Sequence, residues 1–284
     1  MIPDRLRKRL ERAIDNGKWR YRMLPRWRPE AAPDIPITIL VRSWNRPLHL
    51  WASLDSLWRE SSASCRFILI DNASSDPLTH KVIDAFERRG MFVAVYRMSE
   101  NQSDNQQVIY DRHRAEFGPY VVLADADVIL CPSSGDWVRR MRRIMAARPS
   151  LALLGSVVDP VDFVTLEQAR ALEPDLPEPV LRELIKANSA ERRQPRRMLA
   201  SVINPYPPAG RLLMARTAVL DQTGAIIGAR RLCEAIETTG HDVGITPRVV
   251  HRHLSLLNLF DYPAYDYDQL YQYLGHAAPD RQAG

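Results

Sequence analysis

The chain has 284 residues, 45% of them hydrophobic, with 39 Lys/Arg against 34 Asp/Glu and a net charge of +5. That is enough for one large core, but no apolar run approaches the roughly twenty residues a membrane helix needs, and no signal-peptide core follows the N-terminus. Cys65, Cys131 and Cys233 are odd in number and lack metal-ligand spacing, which excludes a disulfide framework and fits a reducing, cytoplasmic location.

Charge and periodicity single out an N-terminal arm, residues 1–33. Residues 1–30 hold ten Lys/Arg against four acids, so the rest of the chain is near neutral, which argues against a nucleic-acid-binding domain. Leu6, Leu10 and Ile14 predict an amphipathic helix over residues 4–16, closed by Asn16-Gly17. Trp19, Tyr21 and Trp27 follow among arginines. Such an arm suits a peripheral contact with an anionic membrane surface, a second copy of the chain, or packing on its own domain.

A strand, polar loop and helix then recur four times. Ile35–Val41 leads into Arg42-Ser43-Trp44-Asn45-Arg46-Pro47 and a helix through Leu50, Leu54 and Leu57. Cys65–Ile70 leads into Asp71-Asn72-Ala73-Ser74-Ser75-Asp76 and a helix through Ile83 and Phe86. Met91–Tyr96 is the third strand, Asp104–Phe117 the third helix and Tyr120–Ala124 the fourth strand. This alternation predicts an α/β sheet of parallel strands with its polar loops on one edge, where Asn45, Asp71, Asp76, Asn101, Asp125 and Asp127 can converge.

The fourth strand organises the rest. Tyr120–Ala124 is apolar without alternation, as a strand buried on both faces requires, and it ends in Asp125-Ala126-Asp127. Two carboxylates at a strand's C-terminal end repel each other unless a cation lies between them; Mg²⁺ or Mn²⁺, sharing its shell with substrate phosphates, is the simplest neutraliser. The plain alternative is an Asp-rich turn that caps the next helix.

A helix over Asp136–Arg148 and a strand over Leu151–Val158 follow. Residues 159–200 read as a proline-rich helical insertion with two short helices, one opening with a capping box at Thr165 and Gln168, the other with Pro179 in its first turn. Arg192, Arg193, Arg196 and Arg197 close it, as a solvated face or a phosphate clamp. Arg211–Ala215 is a short strand, Ala229–Thr239 a helix, and a last strand carries Val249, His251 and His253 on one face, which makes either histidine a candidate metal ligand. In the tail, residues 259–284, tyrosines interleave with aspartates at Phe260–Tyr273; it reads as a packed helix or as a lid over the cleft.

Taken together, these segments resemble a glycosyltransferase of the GT-A fold, family 2-like. Ser43-Trp44-Asn45-Arg46 is similar to the Thr-Tyr-Asn-Arg that follows the first strand of such enzymes, and Ile70–Asp76 to their Val-Asp-(Asp/Asn)-x-Ser-x-Asp. Arg97–Asn101, Gly118–Asp127 and Gly240–His253 continue the pattern in order over residues 34–258. The resemblance implies a Rossmann-like nucleotide-diphospho-sugar transferase with a mostly parallel central sheet flanked by helices. It implies that Ser43, Asn45, Arg46, Asp71, Asn101 and Asp125 bind a nucleotide-sugar, UDP-linked, with Asp71 on the base. It also implies that Asp125, Asp127 and His253 or His251 hold Mn²⁺ or Mg²⁺, and that a glycan, lipid-linked molecule or protein accepts the sugar.

One departure stands out. Family 2 inverting enzymes place an acidic pair about a dozen residues before the glycine matched by Gly240, but Ala225-Ile226-Ile227-Gly228-Ala229 holds no acid, and Glu234 and Asp242 are off-register. The base then comes from elsewhere, the reaction retains configuration, or the chain is a silent module that binds a nucleotide-sugar or a partner. A sugar nucleotidyltransferase would need a Gly-rich loop after the first strand; Arg42–Pro47 has no glycine.

Overall fold

The computed structural model describes residues 36–61, 65–186, 189–190, 212–224, 226 and 228–253. The N-terminal arm, the Arg192–Arg197 cluster and the aromatic tail lie outside the described residues.

Strand and helix alternate as the pattern requires. β1 (Ile37–Ser43), α1 (Pro47–Glu60), β2 (Cys65–Asp71), α2 (Pro77–Arg88), β3 (Phe92–Arg97), α3 (Asn105–His113) and β4 (Tyr120–Asp125) build the first half. β5 (Val128–Leu130), α4 (Trp137–Ala146), β6 (Leu151–Val158), α5 (Leu166–Leu172), α6 (Glu178–Ile185), β7 (Leu212–Arg216), α7 (Thr217–Thr223), α8 (Ala229–Thr238) and β8 (Asp242–His253) build the second. They form one eight-stranded sheet in the order β3-β2-β1-β4-β7-β6-β8-β5. No described helix is long and apolar enough to cross a membrane.

The strand period of two divides the core between the sheet's faces. Ile39, Val41, Phe67, Leu69 and Val122 pack with Leu50, Leu54 and Leu57 of α1, Ile83 and Phe86 of α2, and Trp137 and Met141 of α4. Leu40, Ile68, Ile70, Val121 and Leu123 pack with Ile109 and Tyr110 of α3, Val219 and Leu220 of α7, and Leu232 and Ile236 of α8. With helices on both sides, these strands have no polar face, which is why they read as unbroken apolar runs. Truncating one of the fully buried α1 leucines to Ala should cost about 2–5 kcal/mol. The insertion has its own small core of Ala169, Val180, Leu181, Leu184 and Ile185.

The two halves differ in direction. β3, β2, β1 and β4 are mutually parallel, with Ser43 beside Asp71 and Arg42 beside Asp125, so their C-terminal ends share one edge. The chain re-enters at β7 from that same edge and runs back, antiparallel to β4 and β6. α7 and α8 carry it round again, and β8 returns to the site edge parallel to β6 while pairing antiparallel with β5. Four of the seven pairings among the described residues are therefore parallel.

Two elements went unread in the sequence, and one was overextended. β5 is only three residues long, and its Leu130 N–H donates to Ser56 Oγ of α1 at 2.8 Å. α7 follows β7 without a loop, so no turn residue marks its start. The third helix is α-helical only to His113 and ends in a 3-10 turn, Arg114–Glu116. The capping box at Thr165 and Gln168 forms as expected, each side chain bonding the other's backbone N–H.

Candidate functional site

The loops after β1, β2 and β4 meet the end of β8 at one edge of the sheet. After β1 the backbone turns through two left-handed residues, Asn45 (φ 50°) and Arg46 (φ 60°), before Pro47 starts α1. Asn tolerates this region; Arg does so at a cost of about 1–2 kcal/mol. The turn is held by Asn45, whose backbone N–H donates to Ser74 Oγ (2.7 Å) and whose Oδ1 accepts the Ser75 and Asp76 N–H groups (2.9 and 3.0 Å). Asn45 thus ties the first loop to the second.

Asp71, at the end of β2, is 1% exposed. Its Oδ1 accepts the Ser74 N–H at 3.2 Å and its Oδ2 lies 3.7 Å from His80 Nδ1. Beside it Asn72 donates to Asn101 Oδ1 and accepts from Asn105 Nδ2, which also donates to the Glu100 carbonyl at 2.8 Å. This part of the sheet edge is built from amides and backbone N–H groups, partners suited to the edge of a flat ring. Asp76 is spent on capping α2 through the Leu78 N–H.

At the other end the carboxylates face cations. Arg42 Nη2 donates to Asp125 Oδ1 at 3.1 Å, the register neighbour on β4. Arg46 Nη1 lies 3.5 Å from Asp127 Oδ2, and His253 Nε2 lies 3.0 Å from the same oxygen. The repulsion between the two acids is therefore relieved by guanidinium groups of the protein itself. A cleft of about 210 Å³ opens here, lined by Arg42, Ser43, Trp44, Arg46, Asp125 and Asp127. The Ser43 hydroxyl on its wall is buried and makes no hydrogen bond.

The residues expected from the sequence separate clearly. Ser43, Asn45, Arg46, Asp71, Asn101, Asp125, Asp127 and His253 all come to this edge. His251, buried two residues earlier on β8, has its Nδ1 2.8 Å from Ser156 Oγ. Asp242 opens β8 at the opposite end of the strand, where its Oδ2 accepts from Ser150 Oγ at 2.7 Å. Glu234 is exposed on α8 beside Arg230. Neither acid is brought to the cleft. Burial, reinforced by the charges of Glu237 and Glu234, pushes the Cys233 thiol up to about 12, which leaves it inert as a nucleophile. Arg42, Asn72 and Asn105 were not singled out; the signals available were the charge of Arg42 directly after the apolar run and the place of Asn72 in the Ile70–Asp76 segment.

Among the described residues no three His, Cys, Asp or Glu side chains gather as a metal-holding group. Asp127 and His253 nevertheless supply an adjacent oxygen and nitrogen. Mg²⁺ and Mn²⁺ use one or two protein ligands and fill their shells with phosphate oxygens and water, so this pair fits an ion that bridges protein and substrate.

No protein-family model matches the chain, and no curated protein matches it in sequence. Solved structures do match its fold. A mannosyltransferase from Pyrobaculum calidifontis, in complex with GDP-Man and Mn²⁺, superposes with a TM-score of 0.51 at 15% identity over 83% of this chain and 63% of its own. GalNAc-T7 with UDP, GalNAc and Mn²⁺ gives 0.54 at 12% identity over 78% of this chain and 44% of its own. The chain has the GT-A fold of these glycosyltransferases and spans about two thirds or less of their lengths.

Proposed function

We propose that the chain is a glycosyltransferase that moves a hexosyl group from a nucleoside-diphosphate sugar, UDP-linked, to an acceptor hydroxyl with Mn²⁺ or Mg²⁺ as cofactor. The observation that carries this reading is one sheet edge that carries both an amide-flanked carboxylate at Asp71 and, beside the cleft, a carboxylate–histidine pair at Asp127 and His253. Neighbours of the same fold were crystallised with GDP-Man or UDP and Mn²⁺, which supports the donor class.

The residues divide the work. Asp71 accepts the ring N–H of the base, and the unpaired Ser43 hydroxyl, with Asn101, contacts the nucleoside. Asp127 and His253 would hold the ion, and Asp125, paired with Arg42, would face the nucleotide. When bound, the metal neutralises the charge that develops on the leaving diphosphate. Arg46, turning from Asp127 toward the phosphates, adds a second positive charge at the same oxygens.

One observation favours a second reading. Because Arg42 and Arg46 already neutralise the acids, and neither Glu234 nor Asp242 reaches the cleft, the chain is on that reading a module that binds a nucleotide-sugar without transferring it. Incubation with a panel of nucleotide-sugars and Mn²⁺, reading released nucleotide, decides between them. Release that EDTA abolishes supports transfer; calorimetric binding of UDP without release supports the module. Equal UDP affinity in EDTA and in Mn²⁺ refutes the metal.

A further inference from the structure

The end of β8 poses a bonding problem that Asp162 solves. Along β8 the His251 carbonyl accepts from the Asp159 N–H at 2.7 Å on the β6 side, while the Val250 carbonyl accepts from Cys131 on the opposite side. Backbone groups alternate sides along a strand, so the His253 N–H points toward β6 as well. β6, however, ends at Val158, the register partner of His251. Among the described residues no strand remains to receive that N–H. Asp162, on the 3-10 turn Pro160–Asp162 that follows β6, takes the strand's place: its Oδ2 accepts the His253 N–H at 3.0 Å. Its Oδ1 accepts Arg252 Nε and Nη2 at 3.1 and 2.9 Å.

Asp162 is 1% exposed, and a carboxylate that deep is costly unless its lone pairs are filled. Here they are filled by two consecutive residues of one strand, the second of which presents Nε2 to Asp127. The Arg252 side chain is half exposed, so the arrangement buries the acid and leaves its partner's head in water. We infer that Asp162 is a positioning residue that fixes the backbone of His253 and thereby sets the imidazole against Asp127 for divalent-ion binding. The metal part of this role rests on the function proposed above; the clamp on the backbone does not.

The test uses the full chain with ¹⁵N,¹³C-histidine and an Asp162→Asn variant, an isosteric change that removes the charge. Three quantities are read: the His253 amide exchange rate, the broadening of its ring signal by Mn²⁺ alone, and the melting temperature. The expected result is amide exchange about ten- to a hundredfold faster, as loss of a charge-assisted bond implies, with Mn²⁺ affinity at His253 weaker by about tenfold. A general loss of packing would lower the melting temperature without singling out His253. Unchanged His253 exchange in the folded variant overturns the clamp. If Mn²⁺ never broadens His253 in the wild type while the variant's amide still opens, the clamp stands and the metal reading falls. Should Asp162→Asn not fold, Asp162→Glu, which displaces the carboxylate by one methylene, is read in the same way, and unchanged His253 exchange there overturns the inference.

Discussion

Asp71 and Asp127 are both buried acids at one edge of one sheet, yet they are kept there by different partners. Asp71 is met by the Ser74 N–H and the His80 ring, in a setting of asparagine amides. Asp127 is met by the Arg46 guanidinium and the His253 ring. A backbone N–H is fixed by its loop and cannot leave, so the spare lone pairs of Asp71 are offered in a constant direction. Arg46 sits on a long, partly exposed side chain at 3.5 Å, a contact it can exchange for another anion. On the proposed reading, Asp71 serves directional recognition and Asp127 exchange of charge.

The largest break in that contrast is expected from Asp127→Ala. Removing this carboxylate takes one of two donors from the proposed metal pair and leaves the His253 ring without its acid. UDP binding in Mn²⁺ should weaken by at least about a hundredfold, near 2.8 kcal/mol, while binding in EDTA should change little or improve as Arg46 is freed. Calorimetry in the two buffers checks it, and equal losses in both would show that the charge-exchange end is ordinary hydrogen bonding.

Asp71→Ala comes next. A buried, charge-assisted contact to a base is worth roughly 1.5–3 kcal/mol, so UDP should weaken by roughly ten- to a hundredfold. Mn²⁺ alone, followed by its relaxation effect on His253, should bind as before. If the metal is lost in proportion to UDP, the two ends are not separate.

Asn45→Ala should act on both ends through the loops, and more weakly. It removes the one oxygen that accepts two N–H groups and leaves Ala in a left-handed conformation, for a stability loss of about 2 kcal/mol. Asn45→Asp keeps the acceptors and should recover most of the melting temperature. No recovery would mean that the clamp between the two loops is not what the side chain supplies.

The first half of the sheet could be read from the sequence because β1, β2 and β4 are buried on both faces, and these strands and the edge strand β3 each end in a polar loop, so one pattern served four times. The carboxylates Asp71, Asp125 and Asp127 were visible for the same reason, standing where an apolar run stops. The second half was less legible. β5 is too short to show a period, α7 starts without a turn, and β7 reverses direction after an insertion whose length hides the return. Arg42 and Asp162 were hidden for a further reason: their partners lie 83 and 90–91 positions away, brought close by strand register for Arg42 and by the turn that follows β6 for Asp162. His253 could be named as a candidate, but its separation from His251 depends on which neighbour each ring meets, Asp127 or Ser156.

The smallest effect is expected where an arginine–carboxylate pair stands away from the residues of the candidate site. Arg114 Nε donates to Asp221 Oδ1 at 2.7 Å and Oδ2 at 2.9 Å, its Nη2 donates to Oδ2 at 2.6 Å, and Tyr110 Oη donates to Oδ1 at 2.9 Å, tying α3 and the 3-10 turn after it to α7. The hydrogen bonds from Arg114 hold the Asp221 carboxyl below the usual carboxylate range. A carboxyl whose folded value is depressed stabilises the fold above its unfolded value and loses that contribution as pH falls through the folded one. Both side chains are more than a third exposed, so solvent screening limits the contribution to about 0.2–1 kcal/mol. Asp221→Asn keeps an acceptor for Tyr110 but not the charge; at neutral pH it should melt slightly below the wild type, and the gap should close as pH drops through and below the carboxylate range. Its UDP and Mn²⁺ affinities should equal those of the wild type. If they fall instead, α3 is communicating with the Asn105 end of the cleft, and the line drawn here between pairs that hold the fold and pairs that serve the site has to move.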